Sequence, residues 1–256
     1  MRWRSLALKA ISRGISWARY MNISRPGLRI LTYHTVGKQA YGDVNNLNSI
    51  SIHHFKQHLD VFKEYQCSTM NAMDISKTET KLSITFDDGY ADNLYVAAPL
   101  LIERNIPFTV FVTPRFIIEK TKYFLSKPEL RELSLLPGVT IGAHGNTHCD
   151  LTKCNDKELS DELSISRSCL EDMLGKNIYS MAYPFGAANK RVKDAVEECG
   201  YRFAACSYFD INQENTDPLM MNRSVVLNAD SNLALREKIK GDWDWYKYLM
   251  KHPLDD

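Results

Sequence analysis

The sequence predicts an α/β protein in which parallel strands are joined by helical crossovers, either a barrel of β/α units or a doubly wound sheet. Three observations carry that prediction. Short runs rich in β-branched and aromatic residues recur along the chain, segments with helical spacing lie between most of them, and no internal repeat, low-complexity tract or Pro/Gly/Ser linker divides the 256 residues. One domain is the simpler organisation, and a chain of this length can bury a substantial core.

The first segment, MRWRSLALKAISRGISWARYMN, is basic and partly apolar. Lys9, Arg13 and Arg19 interrupt it, so it lacks the ~7–15 residue apolar stretch of a signal peptide and the ~20 residues of a membrane span. On a helix, Trp3, Leu6, Ala7, Ala10, Ile11, Trp17, Ala18 and Met21 share one broad face, with most of the cations opposite and Arg4 intruding. Such an amphipathic helix, placed over 1–28, suits either the headgroup layer of an anionic membrane, through residues 1–21, or packing against its own domain.

Strands are expected at 29–34, 81–86, 108–113, 139–144, 179–183, 201–207 and 223–227. Between them, 54–65 has Phe55, Leu59 and Phe62 at helical spacing, and 92–105 opens on Asp92 as a cap with Pro99 as a kink. A third helix, over 155–175, starts at a capping residue and stops at Gly175, and a fourth, over 189–200, ends on Gly200. The barrel occupies 29–230. The remaining 231–256 form an aromatic tail whose GDWDWYKYLMKHP stretch would cover the barrel's open end, stack on sugar or touch a membrane interface.

Composition removes some functions. Lys+Arg 32 against Asp+Glu 31 leaves a formal net charge of +1, which gives no electrostatic reason to expect a nucleic-acid partner. The six cysteines form no CxxC pair and no dense framework, so they read as reduced, packed thiols. His53, His54 and His58 have no acidic partner nearby in sequence and read as a solvated helix face.

Chemistry concentrates where strands end, as expected in β/α architectures. One strand ends in Tyr33-His34, another in Asp87-Asp88-Gly89, another in HGNTH (144–148) and another in YPFG (183–186). His144 and His148 are four residues apart and can aim both imidazoles at one ion. Two histidines and a carboxylate make a catalytic zinc set that leaves positions open for water and substrate. Adjacent strand residues point to opposite faces, but a turn before glycine can bring both carboxylates to one site. One can then bind the ion while the other takes a proton from water, and the cation relieves the repulsion between them. An Asp-Asp-Gly turn that only caps a helix is the competing explanation, disfavoured by the histidines.

TFDDG (85–89), HGNTHCDL (144–151) and AYPFG (182–186), in this order and spacing, resemble the motifs of the NodB-type polysaccharide deacetylases, from about Arg29 to Leu227. The resemblance implies a distorted (β/α)7 barrel and a metal-dependent N-deacetylase with one divalent ion, zinc. It makes Asp87 the general base and Asp88, His144 and His148 the metal ligands. Tyr183, Pro184, Phe185 and Gly186 would build one wall of the sugar site, Asn189 would join it, and the Phe185 peptide N–H would help hold the oxyanion. Many members carry arginine where Ala182 stands; its absence resembles the branch that includes poly-N-acetylglucosamine deacetylases. There the general acid comes from a Tyr-His segment, here His34, and Arg223 is the candidate for the missing charge beside Asp87. Gly145 and Cys149 also depart from the usual residues, without touching a ligand.

The expected substrate is an N-acetylated amino sugar carried on a polyprenyl lipid or a nucleotide, met at the cytoplasmic face of the membrane during surface-glycan assembly. An exported poly-N-acetylglucosamine polymer is the alternative, and a carbohydrate-binding barrel without chemistry is the competing class.

Overall fold

Alternation along the strands decides the architecture. In a computed structural model that describes residues 10–12, 14, 25–72 and 74–250, the strands are β1 (Gly27–Tyr33), β2 (Thr35–Val36), β3 (Ser49–Ile50), β4 (Cys67–Ser68), β5 (Thr80–Phe86), β6 (Phe108–Val112), β7 (Val139–Ala143), β8 (Ser180–Ala182), β9 (Phe203–Ala205) and β10 (Arg223–Val225). The principal sheet runs β10-β1-β5-β6-β7-β8-β9, all pairs parallel, while β4 joins the early part of β5 and β2 pairs β3. A parallel bridge between Ala205 and Met221, just upstream of β10, links the two ends. That single bridge closes a distorted (β/α)7 barrel, in a single domain.

Because successive strand residues face opposite sides, each strand divides its residues between two cores. Leu31, Tyr33, Leu82, Ile84, Phe86, Val110 and Met181 pack outward against the helices, while Leu28, Ile30, Phe111, Ala182, Ala205 and Met221 fill the interior. Gly142 faces the interior too: a Cβ there would lie 2.5 Å from the Phe111 ring. The same alternation carries Ser83 and Thr85 on to Asp87, and Gly142 on to His144, so reactive residues emerge at the mouth on the inward register.

The helices follow the expected signals with informative shifts. Asp156–Leu174 starts at an Asn155–Glu158 capping box and ends at Gly175 in the left-handed region. The expected 92–105 helix is instead a π-turn, Asn93–Ala97, running into a short α-helix, Ala98–Ile102. Pro99 has no N–H to return to the Tyr95 carbonyl, which accounts for the irregular turn. Asp92 makes no side-chain cap bond; its carboxylate is used elsewhere. The helices Pro114–Ile118 and Lys127–Leu135 had no counterpart among the expected segments.

The barrel begins two residues earlier than expected, at Gly27. The tail is part of the domain: Asn232–Lys240 is helical, and Asp244 receives two hydrogen bonds, of 2.8 and 3.0 Å, from the buried Arg29 of β1. Arg29 shares the outward register of Leu31 and Tyr33, so this buried ion pair fastens the tail to the outer side of β1. The expected N-terminal helix falls mostly outside the described residues. Ala10–Ser12 are helical, and the Ser12 hydroxyl accepts a bond from the Trp245 indole at 3.0 Å. No helix among the described residues is long and apolar enough to cross a membrane. All six cysteines are free thiols.

Candidate active site

The centre of the site is built by strand ends and by strained turns placed after them. Asp87 continues the inward register of β5, and its N–H donates to the Tyr33 carbonyl at 2.9 Å. Asp88 would point away on a regular strand, but its φ of 73°, followed by Gly89 at 78°, turns the chain back to the mouth. His148 (62°) and Phe185 (59°) are likewise left-handed, and such conformations in residues other than glycine cluster where geometry serves function.

Asp88, His144 and His148 each offer a ligand atom, all within 4.8 Å of one another. Asp88 Oδ1 lies 3.2 Å from His148 Nε2 and 3.6 Å from His144 Nε2, yet it is buried and forms no hydrogen bond among the described residues. The Nδ1–H of His144 donates to the Ala182 carbonyl at 2.8 Å, which turns the bare Nε2 toward Asp88. A buried, unpartnered carboxylate oxygen between two imidazole nitrogens, one with its tautomer fixed from behind, fits a divalent ion. Burial pushes the His144 imidazole below its ordinary value, favouring the neutral form a metal needs, whereas for His148 the Asp88 carboxylate overcomes burial and raises it.

Asp87 stands apart from that set. Arg223, fully buried in β10, grips it with two bonds, Nη1–Oδ1 at 2.7 Å and Nη2–Oδ2 at 2.9 Å, and donates a third, from Nε, to the Cys206 carbonyl at 3.0 Å. Burial works to raise the Asp87 carboxyl, but Arg223 outweighs it, with help from His144, and holds the group below its ordinary value. The positive charge thus comes from β10 rather than β8.

His34, at the end of β1, lines the same cleft of about 470 Å3 as Asp87, Asp88, His144 and His148, with Phe185 and Gly186 on one side. Phe185 is largely exposed and sets its ring edge-on to His148 at 4.7 Å between centroids. Gly186 is required there: at φ 67°, a Cβ would lie 2.4 Å from that of Ser207.

Three expected members of the wall are elsewhere. Tyr183 follows the outward register after the inward Ala182, is fully buried, and donates its hydroxyl to the Leu219 carbonyl at 2.8 Å. Asn189 caps the helix Lys190–Glu198, its Oδ1 accepting from the Val192 N–H at 3.0 Å. Pro184 is buried beneath the loop, its ring beside Gly145, rather than along the cleft. Sequence reasoning also missed Tyr41, Asp43, Asn48 and Ser207, which line the cleft. It missed Glu162, whose carboxylate accepts from the Asn146 and Thr147 N–H groups and the Thr147 hydroxyl at 2.7 to 3.0 Å. Glu162 shares the buried face of its helix with Leu159, Leu163 and Ser166, and an acid in that stripe was the available signal.

Residues 74–204, just over half of the chain, match the sequence model of the family described as polysaccharide deacetylase. The chain belongs to the polysaccharide deacetylase family. Among curated relatives, the peptidoglycan-N-acetylglucosamine deacetylase PgdA of Listeria monocytogenes is 28% identical over 139 residues, 53% of this chain and 28% of that protein. YxkH of Bacillus subtilis is 28% identical over 137 residues, 54% of this chain and 48% of its own. This polysaccharide deacetylase family member therefore aligns with less than half the length of either relative. Among solved structures, the Streptococcus pyogenes deacetylase PplD shares the fold with a TM-score of 0.73 at 21% identity, over 84% of this chain and 99% of that one. IcaB from Ammonifex degensii does so with a TM-score of 0.67 at 19% identity, over 85% and 97%.

Proposed function

We propose that the protein is a metal-dependent N-deacetylase that removes the acetyl group from an N-acetylated amino sugar. The observation that carries this reading is the division of labour between two adjacent acids: Asp88 faces two imidazoles with an unpartnered oxygen, while Asp87 is held ionised by Arg223. A pure carbohydrate binder needs neither arrangement.

In this reading Asp88, His144 and His148 hold a divalent ion, zinc, which when bound supplies a Lewis acid that polarises the acyl carbonyl and acidifies the attacking water. Asp87 accepts the proton of that water as it adds to the carbonyl carbon, and Arg223 keeps the carboxylate oriented and charged until then. The Phe185 N–H donates to the developing oxyanion. His34 gives a proton to the departing nitrogen, so the C–N bond breaks to a free amine and acetate.

For the carrier we propose a polyprenyl-linked or nucleotide-linked precursor of a surface polysaccharide, met at the cytoplasmic face of the membrane. Its support is the basic amphipathic pattern of residues 1–21. A poly-N-acetylglucosamine-type polymer is the second reading, favoured by the Tyr-His segment that places His34 in the cleft.

The test is acetate release from N-acetylated sugars by purified, zinc-loaded protein, alongside Asp87→Asn. Wild-type protein should release acetate and stop on chelation, and Asp87→Asn should keep its zinc while losing at least about 100-fold in turnover. Near-native turnover in Asp87→Asn, or bound zinc with no acetate from any candidate sugar, overturns the reading.

A further inference from the structure

Most catalytic histidines are oriented by an acceptor on the second ring nitrogen. In His34 the Nδ1 atom is buried without a hydrogen-bond partner among the described residues, so no such acceptor aims the ring. The main chain immediately after the His34 ring is held instead, at two points and by one segment. The Asn93 side-chain amide donates to the His34 carbonyl at 2.9 Å, and the Asp92 carboxylate accepts the Val36 N–H at 3.1 Å. Asn93 Nδ2 also donates to Asp92 Oδ1 at 3.1 Å, which ties the two clamps together. Both partners of that amide are acceptors, so its orientation is fixed. Asn93 is fully buried and Asp92 nearly so.

The expense of this arrangement points to function. Asp92 is a buried carboxylate whose close partners here are amide N–H groups, and burial pushes its carboxyl up to about 7. A helix cap would leave it half in water, yet it makes no side-chain cap bond. Asp92 and Asn93 also lie only a few residues beyond Asp87 and Asp88 in the stretch TFDDGYADN. One turn thus carries the acids of β5 and fixes the residue at the end of β1.

We propose that Asp92 and Asn93 are positioning residues that aim the His34 imidazole at the leaving nitrogen by clamping the backbone that follows it, from the His34 carbonyl to the Val36 N–H. The inference rests on the deacetylase reading, with His34 as the proton donor. Asp92 and Asn93 thereby belong to the site without touching substrate.

An amide needs its nitrogen protonated to leave, whereas an activated aryl acetate does not, so the two substrates separate loss of the proton donor from general damage. In zinc-loaded full-length protein, Asn93→Ala and Asp92→Ala should each lower kcat on an N-acetylated sugar by about 10–100-fold with little change in KM. Hydrolysis of 4-nitrophenyl acetate and zinc affinity, measured by chelator competition, should stay within about threefold. Asn93→Ser, which keeps a donor near the His34 carbonyl, should recover part of the amide activity and provides a milder variant if alanine impairs folding. His34→Ala fixes the scale, since it should show the same amide-selective loss. If His34→Ala is amide-selective and the Asn93 variants lose ester and amide activity equally, or neither, the clamp is refuted while the function stands. If wild-type protein cleaves only the ester, both fall.

Discussion

Arg223→Met tests the electrostatic design of the site. Arg223 is fully buried, its partner Asp87 is 4% exposed, and the pair is bidentate. Removing the guanidinium leaves a carboxylate buried without its cation and also frees the Cys206 carbonyl, a change that costs about 3–5 kcal/mol. For a chain of this size about 1 kcal/mol moves the melting temperature by about 2–4 °C, so a drop of about 10 °C is expected near neutral pH. The pH dependence has a definite sign. In the native protein Asp87 lies below its ordinary value of 3.8, so its contribution is present above about pH 4 and is lost as pH falls through the native value. In the variant only the weaker pull of His144 and His34 still opposes burial, so the carboxyl lies higher than in the native protein and the variant loses less stability as pH falls and the group becomes neutral. The gap between the two proteins should therefore be widest at pH 7 and should shrink toward pH 4. Thermal unfolding at both values, in the presence of a chelator, measures it. A constant gap across that range would refute the account of Arg223 as the counter-charge of Asp87. The acid limb of the deacetylation profile should also move to higher pH in Arg223→Met.

Two further outcomes follow from buried polar groups. Glu162→Ala frees the loop between His144 and His148 and should weaken zinc binding by about 10–100-fold, read by chelator competition; unchanged affinity would reduce Glu162 to a packing role. His58, expected on a solvated helix face, is instead buried and shares a hydrogen bond of 3.0 Å with the Tyr33 hydroxyl. Burial pushes its imidazole down to about 4, so the unfolded chain takes up a proton between about pH 6.5 and 4 that the fold refuses. That lowers stability on acidification by about 3 kcal/mol, and His58→Asn should remove the loss; equal destabilisation of the variant at pH 4.5 and 7 in denaturant titrations would contradict it.

The sequence makes strand ends legible because period-two alternation and apolar runs announce where β5, β7 and β8 stop. The reactive residues placed there then stand out as polar groups with no place in a core. The pairing of Asp88 with His144 and His148 was readable for that reason. So was the turn that brings two adjacent acids together, since a glycine follows them. Alternation also carries the correction at Tyr183: with Ala182 facing inward, its neighbour must face the helices. Asn189 was misassigned because a residue three positions past a glycine fits a loop motif and a helix cap equally, and only the Val192 N–H decides.

What stayed hidden was pairing across distant segments. Arg223 was named as the charge beside Asp87 only through the family resemblance; nothing in the residues around it marks an acid 136 positions away. It is the parallel pairing of β10 with β1, itself beside β5, that brings the arginine to the acid. Glu162 and the Asp92–Asn93 pair illustrate a subtler limit. Each occupies a position with an ordinary local explanation, a helix face for one and a helix start for the other. Yet each spends its polar atoms on the backbone of a loop or strand that carries a reactive residue. Local propensity is satisfied by any polar residue at such positions. The requirement for these residues arises only when a second segment presents unpaired N–H or carbonyl groups at hydrogen-bond distance, because burying those groups unpaired costs about 1–3 kcal/mol each. Direct participants in chemistry are therefore readable from residue type and spacing, whereas the groups that hold them in place are defined by the three-dimensional bond ledger.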